Sequence, residues 1–112
     1  MIKRDRYRYI VFIADEKLPG KNVFVKQFTS LFCELFGEKI LAFSKILILE
    51  YLQGKGGILK VRRDFVHFAR ATIAFYNANN VTLKVVKITG TYKKARSILK
   101  SSQAVVNFCR FY

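Results

Sequence analysis

Between Lys84 and Ser97 the chain reads Lys-Val-Val-Lys-Ile-Thr-Gly-Thr-Tyr-Lys-Lys-Ala-Arg-Ser. This is the pattern of a strand that passes through Thr89-Gly90-Thr91 into a helix whose first turns carry Lys93, Lys94 and Arg96. Such a helix start aims backbone N–H groups, the positive end of a helix dipole and several cationic side chains at one place. The chemistry that suits it is capture of a phosphate. Further along, Lys93, Arg96 and Lys100 fall within an arc of about 60° at 3.6 residues per turn, while Tyr92, Ala95, Ile98 and Leu99 share the other side. A merely solvated helix face looks similar. The lack of any acid on this one, with Thr91 and its neighbours at the helix start, favours phosphate contact.

Other cations stand at junctions. Arg62 and Arg63 lie where a strand passes into a helix, with Arg70 about two turns on, and arginine forks match phosphate oxygens. Asp64 is the competing local partner for one of them. Lys3, Arg4, Arg6 and Arg8 form a basic N-terminal arm of the kind that tracks a phosphate backbone. Base stacking is the alternative use of a sheet, but Gly57-Ile58-Leu59-Lys60-Val61-Arg62 has no aromatic residue, so Tyr7, Tyr9 and Phe12 read as core or rim. Catalytic groupings are missing from the pattern. His67 is the only histidine, Cys33 and Cys109 are far apart, and seven acids are scattered; none of these spacings builds a zinc or two-metal centre.

The elements that must position these residues follow from periodicity. Arg8 to Ala14 reads as a strand with Tyr7, Tyr9, Val11 and Ile13 on one face. Asn22 is placed to cap a helix reaching Phe36, with Phe24, Phe28, Leu31, Phe32 and Leu35 on one stripe and Gly37 at its end. Ser44 to Leu52 alternates Leu47, Leu49 and Tyr51 against Ile46, Ile48 and Glu50, and Gln53 to Gly57 is turn material before a returning strand from Ile58 to Arg62. Arg63 or Asp64 opens a helix to Asn77, with Phe65, Phe68, Ala69, Thr72, Ile73 and Tyr76 inward and His67, Arg70 and Ala74 outward. Val81 to Ile88 is a fourth strand and Thr91 to Lys100 a third helix. Ser101 to Tyr112 has no firm period. The order β-α-β-β-α-β plus a helix predicts an α+β fold: a ferredoxin-like (RRM-like) four-stranded antiparallel sheet with helices on one face and an additional C-terminal helix.

Bulk composition narrows the partner. The 112 residues fit one α/β domain, and 52% apolar content with 15% aromatics supports a real core. Against that core stand 21 Lys+Arg and only 7 Asp+Glu, a formal charge of +14 that calls for an anionic partner, most commonly nucleic acid. The basic start is not followed by a cleavable apolar segment, and Ile40 to Leu52 is interrupted by Lys45 and Glu50 and too short to span a bilayer. A soluble protein of a reducing compartment, with no membrane partner, is the expectation.

The residues resemble a known family, the small α/β protein of archaeal and eukaryotic ribonuclease P, called protein component 2 in archaea. Arg6-Tyr7-Arg8-Tyr9-Ile10-Val11-Phe12 is similar to the family's opening Arg-Tyr-Ile strand, and Gly57-Ile58-Leu59-Lys60-Val61-Arg62-Arg63 to its Gly-Ile-Ile-Arg-Cys-x-Arg segment. The helix with Ala69 to Ala74 follows. The most specific likeness is Val85-Val86-Lys87-Ile88-Thr89-Gly90-Thr91-Tyr92-Lys93-Lys94-Ala95 to Val-x-x-Val-Ser-Gly-Thr-Ile-Lys-Lys-Ala. The family-like core runs from 6 to 100, with 101–112 as a tail. Val61 departs from the usual Cys, the family's proline-containing lead is absent, and the tail matches no family pattern.

The resemblance implies a non-catalytic subunit of an RNA enzyme that removes 5′ leaders from precursor tRNA. Implied partners are the catalytic domain of ribonuclease P RNA, ribonuclease P protein component 3 and other ribonuclease P proteins, with precursor tRNA touched indirectly. No cofactor would be held by the protein, and Mg2+ would sit on the RNA. The location would be cytoplasmic in an archaeon and nuclear or nucleolar in a eukaryote. An RNA-binding set of Arg4, Arg6, Arg8, Arg62, Arg63, Arg70, Thr91, Lys93, Lys94, Arg96 and Lys100 gathers the cations above. A general basic RNA-binding or ribosomal-type protein stays open from composition alone. An acylphosphatase-like enzyme is disfavoured, because Asp15-Glu16-Lys17-Leu18-Pro19-Gly20 is no Gly-rich phosphate loop.

Overall fold

The computed structural model describes residues 6–15, 19–52, 55–77 and 81–109, with side-chain environments up to Ser101. Strand β1 (Tyr7–Ala14) is followed by helix α1 (Lys21–Phe36), a short α2 (Glu38–Ser44), strands β2 (Leu47–Leu52) and β3 (Gly56–Arg62), a 3-10 turn (Arg63–Phe65) leading into α3 (Val66–Phe75), strand β4 (Leu83–Thr89) and helix α4 (Tyr92–Cys109). All pairings are antiparallel, in the order β2-β3-β1-β4. The predicted ferredoxin-like α+β fold is therefore present.

Alternation in β1 explains the two layers. Ile10, Phe12 and Ala14 point into the core shared with α1 and α3, while Val11 points the other way, into a second cluster with Ile58, Ala95 and Leu99. Both Ile10 and Val11 are completely buried. A strand sealed on both sides needs cover on both sides, and α4 supplies the second cover. In α1, Phe24, Phe28 and Phe32 recur every four residues and are all buried, each contributing roughly 1.5–3 kcal/mol by the removal of apolar surface from water. Phe24 is the hub: its ring lies 5.6 Å from Phe12, 5.2 Å from Tyr51 and 5.4 Å from Tyr76.

Several boundaries differ from expectation, each for a physical reason. Helix α1 starts at Lys21 with Gly20 in the capping position and no side-chain cap, so Asn22 sits inside it. Its entry is fixed by tertiary contact instead, since the Tyr51 hydroxyl donates to the Pro19 carbonyl. After Gly37 the chain forms α2, which takes in Ser44, so the strand expected from Ser44 starts only at Leu47, and Lys45 at φ 50° makes the exit. The regular alternation expected for β2 is broken by a bulge between Ile48 and Glu50. Ile48 and Tyr51 join the α1 core as a result, whereas Leu52 packs under α4.

Gly56 and Gly57 are strand, not turn. A Cβ at Gly56 would come 2.2 Å from the Phe12 carbonyl oxygen, and one at Gly57 2.2 Å from that of Glu50. Glycine is required there for β3 to slot between β1 and β2. Of the residues predicted inward on the 63–77 helix, which is a 3-10 turn followed by an α-helix ending at Phe75, Ala69, Thr72, Ile73 and Tyr76 are buried and Phe65 and Phe68 half-buried, while His67, Arg70 and Ala74 are exposed as expected. Helix α4 runs past the expected Lys100 to Cys109. Among the described residues no helix is long and apolar enough to cross a membrane.

Candidate nucleic-acid interface

Antiparallel pairing brings the separated basic segments to one end of the sheet. Tyr7 lies opposite Arg62, and Tyr9 opposite both Lys60 in β3 and Thr89 in β4. The start of β1, the end of β3 and the β4–α4 turn thus share an edge. The Arg63 N–H donates to the Arg6 carbonyl at 2.8 Å, tying the first of these segments to the second. Arg8 reaches the third: its Nη1 would lie 3.8 Å from a Cβ on Gly90, and it donates to the Tyr7 carbonyl at 3.0 Å.

The helix start is built as the residue types require. The Thr89 hydroxyl donates to the Thr91 carbonyl at 2.9 Å, and the Lys94 N–H donates to Thr91 Oγ1 at 3.4 Å. Thr91 is therefore the capping residue of α4. It leaves the first backbone N–H groups of the helix pointing outward at the same end of the sheet as Arg6, Arg8 and Arg63. Lys93, Lys94, Arg96 and Lys100 are all exposed. Tyr92, Lys93, Arg96, Ser97 and Lys100 line one surface depression of ≈ 400 Å³ along the helix.

Of the other predicted residues, Arg62 and Arg70 stand apart from this group, and Arg63 has a competing local partner. Arg62 donates from Nη1 to the Phe43 carbonyl at 3.3 Å and lies 5.9 Å from the Phe65 ring, so it fastens the end of α2 to β3. Arg63 stands 3.8 Å from Asp64, both well exposed, and a surface pair of that kind contributes little to stability. Arg70 is exposed on α3, across the sheet from α4. Arg4 lies outside the described residues.

The aromatic rings answer the stacking question. Phe12 is core. Tyr9 meets Tyr92 edge to face at 6.1 Å, and Tyr7 carries the Lys60 ammonium 4.1 Å above its ring. The Tyr92 hydroxyl donates to Glu50 Oε1, a bond that raises the tyrosine pKa, helped by partial desolvation. That contact holds α4 to β2 across the sheet. Lys60, Lys84 and Lys87 are cations that sequence reasoning left out. The alternation of β1 and β3 could have located Lys60, but nothing in the local pattern reveals the strand irregularity that places Lys84.

A basic α+β protein emerges, ferredoxin-like in topology, with both sheet faces covered and one group of its cations gathered at one end of the sheet and along α4. Residues 6–100 match the model of the Rpp14/Pop5 family of ribonuclease P proteins, and the chain belongs to that family. A search of curated protein sequences finds no match. Among solved structures, a chain of the cryo-EM structure of yeast ribonuclease MRP is similar over 100% of both chains, with a TM-score of 0.59 and 7% identity. At that identity the likeness is one of fold.

Proposed function

We propose that this protein binds and stabilises the catalytic RNA of ribonuclease P, as protein component 2 of that enzyme, and so assists removal of 5′ leaders from precursor tRNA. The observation that carries the reading is the convergence of Arg6, Arg8, Arg63 and the Thr91-capped start of α4 at one end of the sheet. Family membership supports the assignment to a ribonuclease P particle. The protein's part is electrostatic: crowded phosphates are neutralised by side chains already held in place, which favours the compact RNA fold and lowers the Mg2+ the RNA needs. Cleavage chemistry stays with the RNA.

Protein component 3 is the expected protein neighbour. Phe43 and Leu47, 49% and 55% exposed on either side of the α2–β2 junction, offer it an apolar surface. The deciding experiment is reconstitution of precursor tRNA cleavage from the cognate RNA and its other protein subunits, with and without this chain, across a Mg2+ titration. Addition of the chain should shift the half-maximal Mg2+ concentration downward. An unchanged titration would remove the proposed role.

A further inference from the structure

Among the described residues β4 is an edge strand, with β1 on one side and no strand on the other. Between it and α4 runs a groove of ≈ 410 Å³, lined by Lys87, Ile88, Thr89 and Gly90 from the strand and turn and by Lys94, Ser97 and Ile98 from the helix. No acid lines it. The sheet wall is shaped by a bulge in β4, where the register with β1 shifts between Val11 and Phe12. In a regular strand Lys84 and Lys87, three residues apart, would point to opposite faces. Here Lys84 lies opposite Ile13, Lys87 opposite Val11 and Thr89 opposite Tyr9. All three partners are alternate residues of β1, so the three polar side chains form an even row on the α4 side, spaced by about 6.7 Å at two residues per step. That step is close to the spacing of successive phosphates along a nucleic-acid strand.

We propose that this groove holds a single strand of RNA by its phosphate backbone, with Lys87 on the sheet wall and Lys94 on the helix wall as phosphate contacts, and with Lys84, one step along β4 beyond the groove's lining, continuing the track on the same side. The proposal rests on the RNA-binding reading above and adds a second track, on the flank of α4 away from Arg96. Lysines on an edge strand also deter strand pairing, but that role needs no opposing wall, and Lys94 with Ser97 provides one. The occupant is one strand, because the cations face each other across a channel rather than standing on a convex rim. Its negative charge complements a lining that is cationic without exception among the ionisable groups.

The test is the salt dependence of binding of the full chain to a labelled oligouridylate, compared with a blunt RNA duplex and with polyglutamate as competitor. The Lys84→Ala/Lys87→Ala variant should lower the slope of log K against log salt by about 1.4, at roughly 0.7 per lost single-strand contact, and Lys84→Arg/Lys87→Arg should restore it. Far-UV circular dichroism should be unchanged in both. A wild-type slope in the alanine variant, with a reduced slope in Lys93→Ala/Arg96→Ala/Lys100→Ala, overturns the groove and leaves the general reading standing. Failure of the wild type to bind either RNA overturns both. Equal loss on the duplex, or equal displacement by polyglutamate, overturns the single-strand assignment.

Discussion

The Arg8 guanidinium lies against the turn at Gly90, with Nη1 3.8 Å from where a Cβ on that glycine would stand. Two segments far apart in the chain thereby present one cationic surface at the start of α4. Arg8→Ala should weaken binding to ribonuclease P RNA and reduce the salt slope by about 0.7–0.9, the value of one phosphate contact. Filter binding across a salt series measures it. A slope equal to wild type would place Arg8 outside the interface.

Reversing the charge of the α4 face should have a larger effect. Lys93→Glu/Arg96→Glu/Lys100→Glu replaces three exposed cations and touches none of the buried residues Ala95 and Leu99 that seat the helix. RNA affinity should fall by at least tenfold, about 1.4 kcal/mol, while the thermal unfolding midpoint moves little. Unchanged affinity in a folded variant would sink the assignment of this face.

Gly56 and Gly57 should tolerate no side chain. Gly56→Ala and Gly57→Ala each drive a Cβ to 2.2 Å from a backbone oxygen of a neighbouring strand, and the central strand cannot retreat. A loss of about 3 kcal/mol or more is expected for either. Gly20→Ala, where no atom of the described residues lies within 4 Å, should stay within about 0.5 kcal/mol of wild type. Urea unfolding separates the two outcomes.

The aromatic hub sets the stability of the α1 layer. Phe24→Ala removes a fully buried ring that contacts Phe12, Tyr51 and Tyr76 and should cost about 3–5 kcal/mol. Leu47→Ala, at a residue 55% exposed, should cost far less.

Alkaline pH should loosen the same region. Burial, with the charge of Tyr76 nearby, pushes the Tyr51 pKa up to about 12, and burial also raises that of Tyr76. The folded state therefore holds these protons more tightly than the unfolded chain. The contribution is fully present below pH 10 and falls as pH rises from 10 through about 12. Tyr51→Phe should flatten the decline in the unfolding midpoint over that range. An equally steep decline in the variant would assign the effect to other tyrosines.

Much of the fold was legible because its elements are amphipathic. Phe24, Phe28 and Phe32 at helical spacing, and Ile10, Phe12 and Ala14 at strand spacing, carry their partners' positions in the pattern of burial. The Thr91 cap was legible as well, since a hydroxyl three residues ahead of an N–H is a local arrangement. The two bulges were not. At Leu49 and Val86 the chain inserts a residue because its neighbour strand demands a register, and the residue types there, all strand formers, carry no mark of it.

The sequence by itself determined the charge, the amphipathic elements and the helix start that suits a phosphate, because each depends on residues close together in the chain. Only the tertiary structure decided which cations share a surface. Antiparallel pairing brought Arg6, Arg8 and Arg63 to the start of α4, a backbone carbonyl engaged Arg62 at α2, and the β4 bulge turned Lys84 to the side of Lys87. Strand register is a contest between whole faces seeking burial, and a one-residue shift reverses every side chain beyond it. Local composition cannot specify that outcome.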